Sequence, residues 1–401
     1  MSAPEHSTPA VVLGLTPTGL YVARQLAGAG VETVGVTEDF ACGAWSKCLT
    51  SSEGVWRITS DDDLEERLIR FSQERNRRPV IIPTSDRFIE FVIERHERLG
   101  EFTRFQASYS DGVAERLLDK TTFYTATEEL KIPAAGIWFP QTRGDLDAIG
   151  REAHFPCLLK PRLIHKSVLK SIGSKVVIVQ SAGEWKKVTD EVVTEPSGWL
   201  VQEIIQGPES EIAILGFCVT SDGRVHEFFS GRKLRQYPPG FGSASLAVSE
   251  NIDEAVALSQ SLLSGVGYRG ICGTEFKRDP RDGIFKIIEV NPRPTLWFQL
   301  THDAGCRLAL ATYLDLTGSE LPAPEPQRDG VVWRYAAKDL YSKNYYRTRR
   351  GQFVLPEPSP EDYLGSSISK SWCVWDSQDP MPSVAEVLQY LRKAGQRWRK
   401  P

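Results

Sequence analysis

Residues 272–294, CGTEFKRDPRDGIFKIIEVNPRP, constrain the fold more than any other part of this 401-residue chain. Asp282-Gly283 is a strong turn signal between two runs of alternating character, so the segment is expected to form a β-hairpin. Folding it about residue 282 places Glu275 opposite Glu289. Side chains alternate across a strand, so Glu289 and Asn291 are expected on one face, with Ile288 and Val290 on the other. Two carboxylates directly across a sheet repel each other. A sequence that puts them there needs a cation between them or a strong salt bridge. Oxygens from Glu275, Glu289 and the Asn291 amide suit Mg²⁺, with Mn²⁺ as an alternative. Mg²⁺ keeps some of its waters and shares its shell with nucleotide phosphates. Arg293, just beyond Asn291, can reach the same face and neutralise a phosphoryl group.

The remainder reads as mixed α/β. The run AVVLGL at 10–15, the turn Gly14-Leu-Thr-Pro-Thr-Gly19, a helical stretch and a second strand, VETVGVTED, open a doubly wound sheet. Thr16 stands where a dinucleotide fingerprint carries glycine, and its side chain hinders approach of a pyrophosphate. A nicotinamide or flavin enzyme is therefore disfavoured, and the glycines are read as making the turn. Pro79–Pro83 is a strand with Thr84-Ser-Asp86 at its carboxyl end, where ligands gather in open α/β sheets. Asp86 is read as the N-cap of the next helix in preference to a substrate contact. One helix is expected over 113–131, with Asp119-Lys120 inside it. Strands at 156–161 and 175–180 flank a polar, basic loop at 162–174, long enough to suggest work of its own. Arg232, Lys233 and Arg235 follow a strand and suit either a solvated edge or a functional role. Cys272 reads as a small core residue, His302-Asp303 as a helix start, and Leu321–Pro326 as a linker.

Glu275, followed fourteen residues on by Glu289-Val-Asn291-Pro-Arg293, resembles the metal-binding end of the ATP-grasp superfamily. Other segments match in order. Lys120, after Asp119, sits where the family has its first phosphate-binding lysine, and Lys160-Pro161 resembles the second. Val201-Gln202-Glu203-Ile204-Ile205, then Gly207, resembles the hinge that grips adenine. Either Glu209 or Glu211 would then hold the ribose hydroxyls. The chain looks most similar to the carboxylate–amine ligase branch, which includes D-aspartate ligase. The covering loop departs from the family: it is usually glycine-rich, whereas 162–174 holds only Gly173. Arg162, His165, Lys166 and Lys170 would substitute charge for backbone donors.

The resemblance implies an α/β chain with the ATP-grasp fold. It would comprise an N-terminal Rossmann-like pre-ATP-grasp domain (1–115), a two-lobed α+β ATP-grasp domain (lobe A 116–200, lobe B with the metal site 201–325) and a C-terminal extension (326–401). It also implies the chemistry. ATP would phosphorylate a small carboxylate, and an amine would displace phosphate from the acyl phosphate, releasing ADP and phosphate. Lys120 and Lys160 would offset the ATP phosphates. Gln202, Glu203, Ile204 and Ile205 would hold the base. Glu275, Glu289 and Asn291 would carry the metal, and Arg293 with Arg232 and Lys233 would stabilise charge during transfer. The competing expectation is an ATP-binding regulatory or structural protein without turnover.

Composition narrows the partners. The chain carries 48 basic and 52 acidic residues, a net charge of −4, which excludes a broadly basic nucleic-acid binder. It has no apolar run long enough to span a membrane and no signal-peptide pattern in MSAPEHSTPA. Seven scattered cysteines fit a reducing cytoplasm better than a disulfide framework. The sequence leaves the oligomeric state open, with a homodimer as one option. Residues 331–401 hold 12 basic and 7 acidic residues and 11 of the aromatics. That tail is expected to fold mostly against the core, with at most weak, salt-sensitive contact with a membrane surface.

Overall fold

The computed structural model describes residues 8–161, 177–348, 355–365 and 367–398; Arg162, His165, Lys166, Lys170 and the rest of the 162–174 loop lie outside them. Four short parallel strands form the first sheet: β1 (Ala10–Leu13), β2 (Thr33–Thr37), β3 (Val55–Arg57) and β4 (Val80–Pro83), in the order β3-β2-β1-β4. Parallel strands buried on both faces need continuous apolar runs, and β1, β2 and β4 are buried throughout. The turn after β1 is closed from within. Gly14 has a φ of +99°, and a Cβ on Gly19 would lie 1.8 Å from the Gly14 carbonyl oxygen. The Thr84 hydroxyl fills the remaining space and donates to the carbonyls of Leu13 and Gly14 at 2.9 Å each. These glycines serve a close approach of backbone rather than a phosphate cradle.

A second, antiparallel sheet contains β5 (Ile137–Trp138), β6 (Cys157–Pro161), β7 (Val177–Val179) and β8 (Trp199–Glu203), ordered β5-β8-β6-β7. The third and largest has seven strands: β9 (Ile212–Val219), β10 (Val225–Tyr237), β11 (Ser243–Ser249), β12 (Gly270–Arg278), β13 (Phe285–Asn291), β14 (Val331–Arg334) and β15 (Ser369–Trp372). Their order is β13-β12-β9-β10-β11-β14-β15. One face of this sheet packs Phe276, Ile287 and Val290 among Phe123, Leu262 and Tyr268. The other packs Ile212 and Ile214 with Trp297, Phe298 and residues of the first sheet.

Several local expectations are corrected. The helix expected over 113–131 is two, Val113–Leu118 and Lys120–Glu129. The break falls at Asp119, which adopts an extended backbone and caps the second helix by accepting from the Thr122 N–H. A carboxylate that can satisfy an orphan N–H favours a cap over a helix interior. His302-Asp303 end the helix Phe298–Asp303 instead of starting one. Gly231–Gln236 lie inside β10 in the middle of the large sheet, so Lys233 and Arg235 are buried rather than on a solvated edge.

The C-terminal segment completes this architecture. β14 and β15 extend the large sheet, and Trp333 is wholly buried. Asp339 pairs with the buried Arg235 at 2.7 Å, with Arg334 and Lys343 behind it. Asp379 receives Arg24, the Ser46 hydroxyl and the Lys47 N–H, tying the end of the chain to the first sheet's domain. Asp339→Ala would leave Arg235 buried without its carboxylate. The expected loss is about 3–5 kcal/mol, read as a lowered midpoint in urea unfolding; an unchanged midpoint would refute it.

Candidate active site

The hairpin β12–β13 pairs Gly273 with Asn291 and Glu275 with Glu289, the register read from its turn signal. A bulge then intervenes, because Phe276 pairs with Ile287. Ile288 therefore shares the face of Glu289, packing toward the Ile212–Ile214 side, while Ile287 joins Val290 on the other. This corrects the simple alternation, since a bulge adds one residue without a partner. Strand β9 lies between the hairpin and β10, and Gly231, Ile214 and Glu275 are aligned across it. Lys233 thus stands on the same face as Glu275, and its Nζ reaches Glu275 Oε2 at 2.6 Å. The Asn291 amide donates to Glu289 Oε1 at 2.9 Å.

Charge in this cluster is unevenly held. Burial pushes the Glu275 carboxyl above its usual range; Lys233 opposes that and Glu289 adds to it. Burial pushes Glu289 the same way but is outweighed by Lys120, then by the Asn291 hydrogen bond, Lys233 and Lys160, so its carboxyl sits below the usual range. Lys120, the first residue of its helix, and Lys160, on β6, therefore act on the same carboxylate although 40 residues separate them in sequence. Gln202 on β8 donates to the Tyr124 hydroxyl at 2.9 Å, which donates to the Ile288 carbonyl at 3.4 Å. That chain joins the second sheet to the hairpin.

The segment after β8 is fixed by groups that sequence reasoning missed. The Lys277 ammonium is buried and donates to the carbonyls of Ile205 and Gly207 at 2.9 and 2.7 Å. Burial pushes it down to about 8, against the opposite pull of Glu209 and Glu211. Its sequence signal was only a cationic residue at even spacing from Glu275. Ile204 and Ile205 are buried beside this clamp. Glu203 accepts from Arg281 at 2.6 Å and from the Gly136 N–H at 3.2 Å, which commits its carboxylate, and its own N–H donates to the Gly136 carbonyl at 2.8 Å. Glu209 is fully buried, and its two oxygens hold the N–H groups of Gln236 and Gly240 at 2.9 and 2.6 Å. It is an anchor of the loop, whereas Glu211 is only half-buried.

Two further arginines part company. Arg232 neighbours Lys233 and so points to the opposite face. It is bidentate to Glu250 at 2.6 and 3.0 Å and donates to the Ser210 carbonyl. That holds its side chain away from the Glu275–Glu289 pair. Arg293 leaves the end of β13 and donates to Asp86 at 2.8 Å. Asp86 is not the helix cap. Ser85 holds that position and Asp86 is the first helical residue, with its carboxylate beside Arg293 at the carboxyl end of β4.

Among the described residues, no group of three or more His, Cys, Asp or Glu side chains forms a metal cage. The donors present, two opposed carboxylates and an amide, are hard oxygens that suit Mg²⁺ only if waters and phosphate oxygens complete its shell. Lys277→Met should weaken binding of a non-hydrolysable ATP analogue by about tenfold, the order of one charged hydrogen bond, without altering Mg²⁺ dependence. Unchanged affinity in a calorimetric titration would mean the clamp does not shape the hinge.

No family model matches the chain. It is similar to a D-aspartate ligase of Enterococcus faecium (strain Aus0004), 25% identical over 247 residues, which is 57% of each chain. The chain thus spans less than two thirds of that relative. Among solved structures it resembles the N5-carboxyaminoimidazole synthetase of Staphylococcus aureus, at 14% identity and a TM-score of 0.62 over 80% of each chain. It also resembles the biotin carboxylase domain dimer of the Hydrogenobacter thermophilus 2-oxoglutarate carboxylase, solved with MgADP, ADP and bicarbonate. That match has 15% identity and a TM-score of 0.61, over 80% of this chain and 73% of the other. The chain thus has the ATP-grasp fold of these structures, and over part of its length it is similar to a D-aspartate ligase.

Proposed function

We propose that the chain is an ATP-dependent ligase that activates a small carboxylate as an acyl phosphate and joins it to an amine. The carrying observation is the half-buried, directly opposed pair Glu275–Glu289, with Lys233 on one carboxylate and Lys120 and Lys160 acting on the other. Such a site tolerates two carboxylates only because cations surround it, and a metal–triphosphate brings charges that those groups can sort.

A carboxylate attacking a triphosphate brings negative charges together. Lys120 and Lys160 offset the phosphates, and Lys233 and Arg293 stabilise the charge that develops on transfer. Glu275, Glu289 and the Asn291 amide oxygen would hold Mg²⁺, which when bound would supply Lewis-acid stabilisation of the phosphoryl charge. Mn²⁺ offers the same hard-oxygen chemistry. The hinge backbone at 203–205, set by Lys277, would hold the base, and Glu211 the ribose. In the first step a carboxylate oxygen bonds to the γ-phosphorus as ADP leaves. In the second, the amine bonds to the acyl carbon, the carbon–oxygen bond to phosphate breaks, and the amine gives up a proton. The acyl phosphate must be kept from water; a covering role for 162–174 lies outside the described residues.

The D-aspartate ligase likeness and the biotin carboxylase neighbours support carboxylate activation. ATP and Mg²⁺ are proposed on the same grounds, as are a homodimer and a cytoplasmic setting. Among the described residues, no helix is long and apolar enough to cross a membrane. The test is an ADP-release screen of amino acids and small dicarboxylates with hydroxylamine as acceptor. A hydroxamate formed together with ADP is expected. AMP with pyrophosphate would indicate adenylate chemistry, and no nucleotide turnover with any acid would favour a binding protein.

A further inference from the structure

Among its described side chains, those of 381–392, the C-terminal helix Met381–Trp398 is docked by one side. Ala385 is buried, Glu386 accepts from the Tyr335 hydroxyl, Gln389 donates to the Phe40 carbonyl, and the Tyr390 hydroxyl meets that of Tyr335. The opposite side carries Val384, Val387, Leu388 and Leu391, which are 47, 57, 56 and 64% exposed. Their spacing of three and four residues makes one continuous stripe along the helix. Four aliphatic side chains left in water on one line are costly for a chain with no partner. Arg392 beside the stripe is exposed, and in the sequence Lys393, Arg397, Arg399 and Lys400 follow, with no acidic residue after Glu386.

We infer that this outer face of the C-terminal helix docks onto an anionic lipid surface. The helix lies along the interface instead of crossing it. Its apolar stripe enters the acyl boundary while the basic run meets the headgroups. Charge decides the occupant. A second copy of the chain presents the same basic run and gains nothing from it, whereas an anionic bilayer is complementary to it. Each basic residue near such a surface contributes about fivefold in affinity, and salt screens the effect. The inference requires nothing of the ligase reading, since none of these residues belongs to the acidic cluster.

The experiment is co-sedimentation of the full chain with phosphatidylcholine vesicles, with and without phosphatidylglycerol. It is run at about 0.1 M and about 0.5 M salt, where the screening length falls severalfold below the span of the basic run. The expected result is binding to the mixed vesicles only, lost at the higher salt. Leu388→Ser/Leu391→Ser should weaken it by about tenfold or more, and Arg397→Gln/Arg399→Gln/Lys400→Gln likewise, both with an unchanged thermal melt. Absence of binding to anionic vesicles would overturn the inference. So would binding that survives both sets of substitutions. Concentration-dependent dimerisation abolished by Leu388→Ser/Leu391→Ser, without vesicle binding, would give the face to a second copy and also overturn it.

Discussion

Glu289→Ala is expected to lower Mg²⁺-dependent ADP formation by at least about a hundredfold, the scale on which a single group that stabilises transferring charge matters. The fold should survive. Removing one of two opposed carboxylates relieves repulsion across the hairpin, and Glu275 keeps its 2.6 Å contact with Lys233. What is lost is the anion on which Lys120, Lys160 and Lys233 act, together with an oxygen donor for the metal. ADP release measured beside a thermal melt separates these effects. Wild-type turnover in a folded variant would remove Glu289 from the site.

Lys120→Ala and Lys160→Ala should each weaken nucleotide binding tenfold to about a hundredfold, since a hydrogen bond to a charged group contributes about 1.5–3 kcal/mol. The two lysines come from different elements, a helix start and a β-strand, yet both influence Glu289. Their effects should therefore be less than additive, as expected of neighbours acting on one charge. Titration with a non-hydrolysable ATP analogue checks both points. Unchanged affinity in both variants would mean that the motifs are misaligned.

The hairpin was legible because its signals are local. A strong turn and period-two alternation fix the register without any tertiary information, and Glu275 does face Glu289. The bulge at Ile288 was not legible, because alternation alone cannot show an inserted residue. Choosing between Arg232 and Lys233 required the phase of β10 against β9, which is set by the assembled sheet. The break at Asp119 turned on one side chain's preference for capping over helix. Asp86 meets Arg293 across 207 positions, and no local pattern encodes such a meeting. Lys277 was passed over for the same reason: its value lies in two carbonyls of a segment some seventy residues earlier.

The central claim is that the carboxylate oxygen attacks phosphorus. The most direct measurement uses the acid found by the ADP-release screen, labelled with a heavy oxygen isotope in its carboxyl group. Complete turnover with the amine is followed by mass spectrometry of the inorganic phosphate and the nucleotide. The account predicts one labelled oxygen in each phosphate released and none in ADP. Label appearing in AMP, or phosphate free of label despite amide formation, would contradict it.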